Sequence, residues 1–110
     1  MDTPTPARLK AARKASGFTQ QQLGLALGME PNTASARMNQ YEKGKHAPDF
    51  LTMKRIAEKL NVPVAYFYCE EETLAELLCA ISKLPLSSQE ELLEELKNAD
   101  LTEAKSGDRR

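Results

Sequence analysis

The sequence predicts an all-α protein in which five short helices form a basic N-terminal domain and two amphipathic helices follow as an acidic extension. Three observations carry this. No stretch alternates apolar and polar residues with β-branched enrichment, whereas apolar residues recur at spacings of three and four along most of the chain. Gly17, Gly28, Pro31, Gly44 and Pro63 fall at the edges of those periodic stretches, where helices start and stop. The 110 residues, 41% apolar and 28% charged, suit one globular domain and do not divide into two independent cores.

The first helix is expected from Ala7 to Ala15, with Pro6 near its start, Gly17 past its end, and Leu9 and Ala12 facing inward. Thr19 suits the N-cap of a second helix, because its hydroxyl accepts from the free amides of the first turn. Gln22, three places on, completes a capping box. Leu23 and Leu27 make the apolar face and Gly28 ends the helix. Pro31 suits the first turn of a third helix running to Tyr41, with Ala34, Met38 and Tyr41 on one stripe. Its other side carries Asn32, Thr33, Ala36, Asn39 and Gln40, flanked by Ser35 and Arg37. A merely solvated helix face usually carries Lys and Glu; this one is polar and almost uncharged, which suits hydrogen bonding to base edges.

Glu42, Lys43 and Gly44 stop the third helix, and a loop runs from Lys45 to Pro48. Asp49 caps a fourth helix whose Phe50, Met53, Ile56, Ala57 and Leu60 are expected in the core. Asn61 and Pro63 interrupt it, and a short fifth helix around Val64 to Tyr68 closes the domain with Val64 and Phe67. Beyond Cys69, Leu74, Leu77, Leu78 and Ile81 form one stripe, and Leu84 and Pro85 make a break. Ser87 or Ser88 with Glu90 or Glu91 then gives a capping box ahead of Leu92, Leu93 and Leu96. The division expected is residues 1–68, an extension over 69–101, and a small, charged, disordered tail over 102–110.

Charge separates the same parts. Residues 1–68 hold ten Lys/Arg against five Asp/Glu, a balance of +5, and residues 69–110 hold five against eleven, a balance of -6. A basic module points to phosphate as a partner. No apolar run approaches the roughly 18 residues that span a bilayer, and no signal peptide is visible behind Arg8, Lys10, Arg13 and Lys14, so a cytoplasmic protein without a membrane partner is expected. Cys69, Cys79 and His46 are too few for a structural zinc site, and the cysteines suit small apolar packing roles. Glu90, Glu91, Glu94 and Glu95 beside a leucine stripe suit a solvated face better than a cation site. Nucleophile, base and acid occur only as isolated candidates, so neither an enzyme, a metal nor a cofactor is expected.

With the elements placed, Thr19, Gln20, Leu23, Gly28, Tyr41, Glu42, Gly44, Pro48, Thr52, Ile56, Ala57 and Leu60 resemble the phage-repressor and Cro-like helix-turn-helix family of XRE-type regulators, over about residues 7 to 68. The ordered combination of "TQ", a helix ending in Gly, "YEKG", and "IAEKL" before "NVP" carries the resemblance. It implies a lambda-repressor-like five-helix domain that binds double-stranded DNA, with the third helix in the major groove. Gly28 and Glu42 stand fourteen positions apart, about one helical turn more than the family commonly shows. Either the third helix gains a turn at its N-terminus or the turn before it is longer.

Carried over residue by residue, the resemblance makes Ser35, Ala36, Arg37, Asn39 and Gln40 base-reading residues, with Asn32 and Thr33 beside them. Arg pairs bidentately with guanine, Gln or Asn with adenine, and an Ala methyl meets the thymine methyl. Gln20 is placed to meet a phosphate, and Lys43 and Lys45 with the amides around Gly44 form a second phosphate clamp. Arg13 matches the position that pairs with the acid after the third helix, here Glu42. His46 is set aside as a surface residue. Leu74, Leu77, Leu78, Ile81, Leu92, Leu93 and Leu96 present more apolar face than two short helices can hide, so residues 73–101 are expected to join a homodimer on a two-fold symmetric operator. The alternative is an antitoxin or adaptor whose acidic C-terminal helices hold a partner protein.

Overall fold

The computed structural model describes residues 3–106, with side chains through Ala99. The elements are α1 (Thr5–Ala15), α2 (Gln20–Ala26), α3 (Ala34–Glu42), α4 (Phe50–Leu60), a 3-10 helix (Val64–Tyr68), α5 (Glu72–Ser82) and α6 (Leu86–Ser106). Among the described residues there is no strand, and no helix is long and apolar enough to cross a membrane.

Contacts divide the chain into two units that meet within α5, one up to Cys79 and one from Ala80 onward. In the first unit, Leu9, Leu23, Met38, Met53, Ile56 and Phe67 are fully buried, and Ala12, Leu27, Ala57 and Leu60 complete their cluster. The capping box at α2 is formed: the Gln22 amide donates to Thr19 Oγ1 at 3.0 Å, and the Thr19 amide donates to Gln22 Oε1 at 2.9 Å. Asp49 Oδ1 accepts from the Thr52 amide at 2.9 Å to start α4, and the bond to that amide holds the carboxyl below the usual carboxylate range. Asn61, with φ of 58°, ends α4 in the left-handed region that Asn tolerates better than most residues.

Several expectations change. Phe50 is 57% exposed rather than in the core, because it is the first residue of α4 and extends beyond the cluster that Met53 begins. The third helix starts at Ala34, not Pro31, so the extra residues lengthen the turn. The Pro31 carbonyl, which a longer helix would give to the Ser35 amide, accepts instead from Gln21 Nε2 at 3.0 Å. The Thr33 and Ala34 amides both turn back to the Glu30 carbonyl, at 3.0 and 2.9 Å. Asn32 and Thr33 therefore belong to that turn and not to the third helix.

The second unit comprises the end of α5, its turn and α6. Ser87 and Ser88 lie inside the first turn of α6 and cannot cap it, because the helix starts directly after Pro85. Gln89 secures this turn instead, donating to the carbonyls of Ile81 at 2.9 Å and Leu84 at 3.1 Å. The helix runs to Ser106, past the end expected at 101, since no Gly or Pro occurs from Leu86 to Ser106. The remainder of the expected disordered tail, residues 107–110, lies outside the described residues.

Candidate nucleic-acid interface

The outward face of α3 depends on how tightly its inward face is fixed. Ala34 and Met38 are fully buried, and α2 packs most extensively on α3. Gly24 permits that approach: a Cβ there would stand 2.7 Å from Ala34 Cβ and 3.0 Å from the Ala34 carbonyl oxygen, closer than real atoms come. The other end of α3 is pinned by charge. Arg13 Nε donates to Glu42 Oε2 and Nη2 to Oε1 at 3.1 Å, while Nη1 donates to the Phe18 carbonyl at 2.8 Å. Both residues are buried, and Gln20 Nε2 gives Glu42 Oε1 a further bond at 3.0 Å. This forked geometry satisfies the carboxylate in a place where water does not reach it.

What α3 leaves outside is Ser35, Ala36, Arg37 and Gln40, all exposed. Asn39 is half-buried, and its Oδ1 accepts from Gln20 Nε2 at 3.2 Å. Both amide hydrogens of Gln20 are thus engaged, one by Asn39 and one by Glu42. Gln20 is a strut between α2 and α3 in the free protein. Asn32 and Thr33 are exposed in the turn, where Thr33 Oγ1 donates to the Glu30 carbonyl at 3.3 Å.

Beyond α3 the chain folds back through Gly44, whose φ of 78° needs glycine. The Gly44 amide donates to the Tyr41 carbonyl at 3.2 Å and the Lys45 amide to the Gln40 carbonyl at 2.9 Å, so Lys43 and Lys45, both exposed, are held beside the end of the helix. His46 comes with them. It lines an open hollow of about 320 Å³ with Arg37, Gln40, Tyr41 and Ala47. Its position next to Arg37 and Gln40 depends on how the loop returns, which is why it reads in the sequence as a surface residue.

The helix-turn-helix family profile matches residues 9–67, more than half of the chain. This chain belongs to the XRE-type, Cro/C1-like helix-turn-helix family. The helix-turn-helix protein is also similar to a solved structure titled transcriptional regulator BswR, with 45% identity and a TM-score of 0.80 over 84% of this chain and 92% of that one. No functionally curated protein matches it. Both α2 and α3 lie inside the matched residues.

Sequence reasoning missed one anchor of this unit. Arg8 is buried, and its Nη1 contacts Glu72 Oε1 at 2.8 Å and Oε2 at 3.1 Å, while Nε donates to the Cys69 carbonyl at 3.0 Å. Its guanidinium also lies 5.4 Å from the centre of the Tyr66 ring. The hydrogen bonds to Glu72 raise its pKa further, and the start of α5 is tied to α1. A charged residue flanking Leu9 in a basic helix gives no sign in the sequence that it points inward.

In the second unit, Ile81, Leu92, Leu93 and Leu96 line an open apolar groove of about 280 Å³ with Leu86. Leu93 and Leu96 are 52% and 55% exposed, and on the first part of α5 Leu74 and Leu77 are 46% and 49% exposed, with Leu78 half-buried.

Proposed function

We propose that this helix-turn-helix protein is a sequence-specific transcriptional regulator that acts in the cytoplasm without enzymatic activity, reading duplex DNA as a homodimer. The observation that carries the reading is the face of α3: Ser35, Ala36, Arg37 and Gln40 are exposed and nearly uncharged, while a buried ion pair fixes the helix behind them. Arg37 and Gln40 supply bidentate recognition of guanine and adenine, Ser35 a hydroxyl and Ala36 a methyl surface. Asn39 joins them where Gln20 releases it. Asn32 and Thr33, in the turn before α3, contribute at its edge. Lys43, Lys45 and the amides around Gly44 hold a phosphate, and Gln20 meets another by exchanging one of its present hydrogen bonds.

Titration of a labelled duplex, carrying a site that the parent protein selects from random duplex DNA, tests this. Arg37→Ala and Gln40→Ala are expected to lose about 1 to 3 kcal/mol each on that site and little on unrelated DNA. Equal affinity of both variants and the parent for both DNAs contradicts the assignment.

Dimerisation is assigned to residues 73–101, because exposed leucines recur there and the acidic balance keeps them from the DNA. Sedimentation of full-length Leu93→Glu/Leu96→Glu tests it, since both side chains are more than half exposed. The parent is expected to be dimeric and the variant monomeric. A monomeric parent that captures a second protein through the same leucines supports the antitoxin or adaptor reading instead.

A further inference from the structure

Next to the base-reading hollow lies a larger groove, of about 490 Å³. Pro4 and Pro6 line it from the N-terminal segment, Tyr41 from the end of α3, Pro48 from the loop, and Tyr68 and Glu70 from the chain after the 3-10 helix. The segments come close there: a Cβ on Gly44 would stand 3.4 Å from Pro6 Cγ. Rings and prolines present flat apolar surface, and Tyr41 is half-buried while Tyr68 is 49% exposed.

The charge of this groove is set by a single carboxylate. Among the described residues no Lys or Arg lines the groove, and its one carboxylate is Glu70. Glu70 is exposed and has no ion-pair partner among the described residues. Aromatic faces and a carboxylate both attract positive charge, and a mostly apolar lining with few polar groups is the usual make-up of a small-molecule site. Tyr41, His46 and Ala47 line this groove and also the hollow that holds Arg37 and Gln40.

We propose that the groove between the N-terminal prolines, Tyr41, Tyr68 and Glu70 is an effector site for a small organic cation with a flat aromatic body. Tyr41 and His46, as the wall common to groove and hollow, pass its occupancy to the base-reading end of α3. This second step rests on the DNA-reading role of α3; the binding step does not.

The test uses the full chain without DNA and three matched probes: benzamidine, neutral benzamide and anionic benzoate, followed through backbone amide shifts. Benzamidine is expected to shift the amides of Thr5, Tyr41, His46 and Glu70 along one saturating curve, at about 1 mM for so small a ligand. The Gln40 amide should follow the same curve. Glu70→Gln keeps the shape and removes the charge, and is expected to weaken benzamidine about fivefold or more while leaving benzamide unchanged. No saturation below about 10 mM, equal binding of benzoate, or an unchanged benzamidine affinity in Glu70→Gln overturns the site. A Gln40 amide that stays still while the others saturate overturns the link to α3. Failure of DNA recognition would leave all of these shifts in place, so the two readings fail separately.

Discussion

Removing Arg13 leaves the Glu42 carboxylate buried with Gln20 as its remaining side-chain donor, and an uncompensated buried charge is far more costly than the loss of a surface attraction. Arg13→Met is therefore expected to destabilise the protein by about 3 to 5 kcal/mol in thermal or denaturant unfolding. Arg13→Met/Glu42→Met removes the stranded charge along with its partner and should recover a large part of that loss. A double variant as unstable as the sum of the singles would show that the pair acts through packing alone. The sequence made Arg13 and Glu42 legible as partners only through the resemblance, since they lie 29 positions apart. Arg8, equally buried, was not legible, because its partners Cys69 and Glu72 lie more than sixty positions away.

Helix limits were legible wherever one residue decides them. Thr19 with Gln22, Asp49, Asn61 and Gly44 act locally, so the sequence reveals them directly. The start of α3 was not, because a side chain of α2, Gln21, takes the carbonyl that a longer helix would use. Gly24 also belongs to this scale, as the point where α2 meets α3. Gly24→Ala would gain helix propensity of about 1 kcal/mol, but Ala34 cannot withdraw its backbone, and overpacking of this kind costs about 1 to 3 kcal/mol. A net loss of stability is expected in thermal unfolding, with amide shifts spreading along α3; a stabilised variant with an undisturbed α3 would contradict the close-approach role. For Asp49 the sign follows from its lowered pKa. Its contribution is complete above the ordinary carboxylate range and is lost as pH falls through the folded value. Asp49→Asn keeps the cap without the titration, so its stability relative to the parent should rise as the pH is taken below that range, and a constant difference would count against the charged cap.

Across the whole chain, residues 1–68 carry a balance of +5 and residues 69–110 one of -6, a separation legible in the sequence. The extent of each unit was not, since the start of α5 is held by Arg8 and carries the buried Ala75. Cutting the chain after Tyr68 would remove that anchor along with the leucines, which is why surface substitutions in α6 are the sounder probe of dimerisation. Phosphate contacts belong to this scale because they follow the positive balance of residues 1–68. Lys43→Ala and Lys45→Ala are each expected to weaken specific and unrelated DNA alike and to lower the salt dependence of binding by about one unit; a loss confined to one base position would place that lysine at a base instead. The central functional claim is that α3 reads base sequence. The most direct measurement is selection of binding sites from random duplex DNA by the parent and by Gln40→Ala. The parent is expected to enrich one two-fold symmetric sequence, and Gln40→Ala to enrich the same sequence with choice relaxed at one position in each half. No enriched sequence, or identical preference at every position in both proteins, would contradict it.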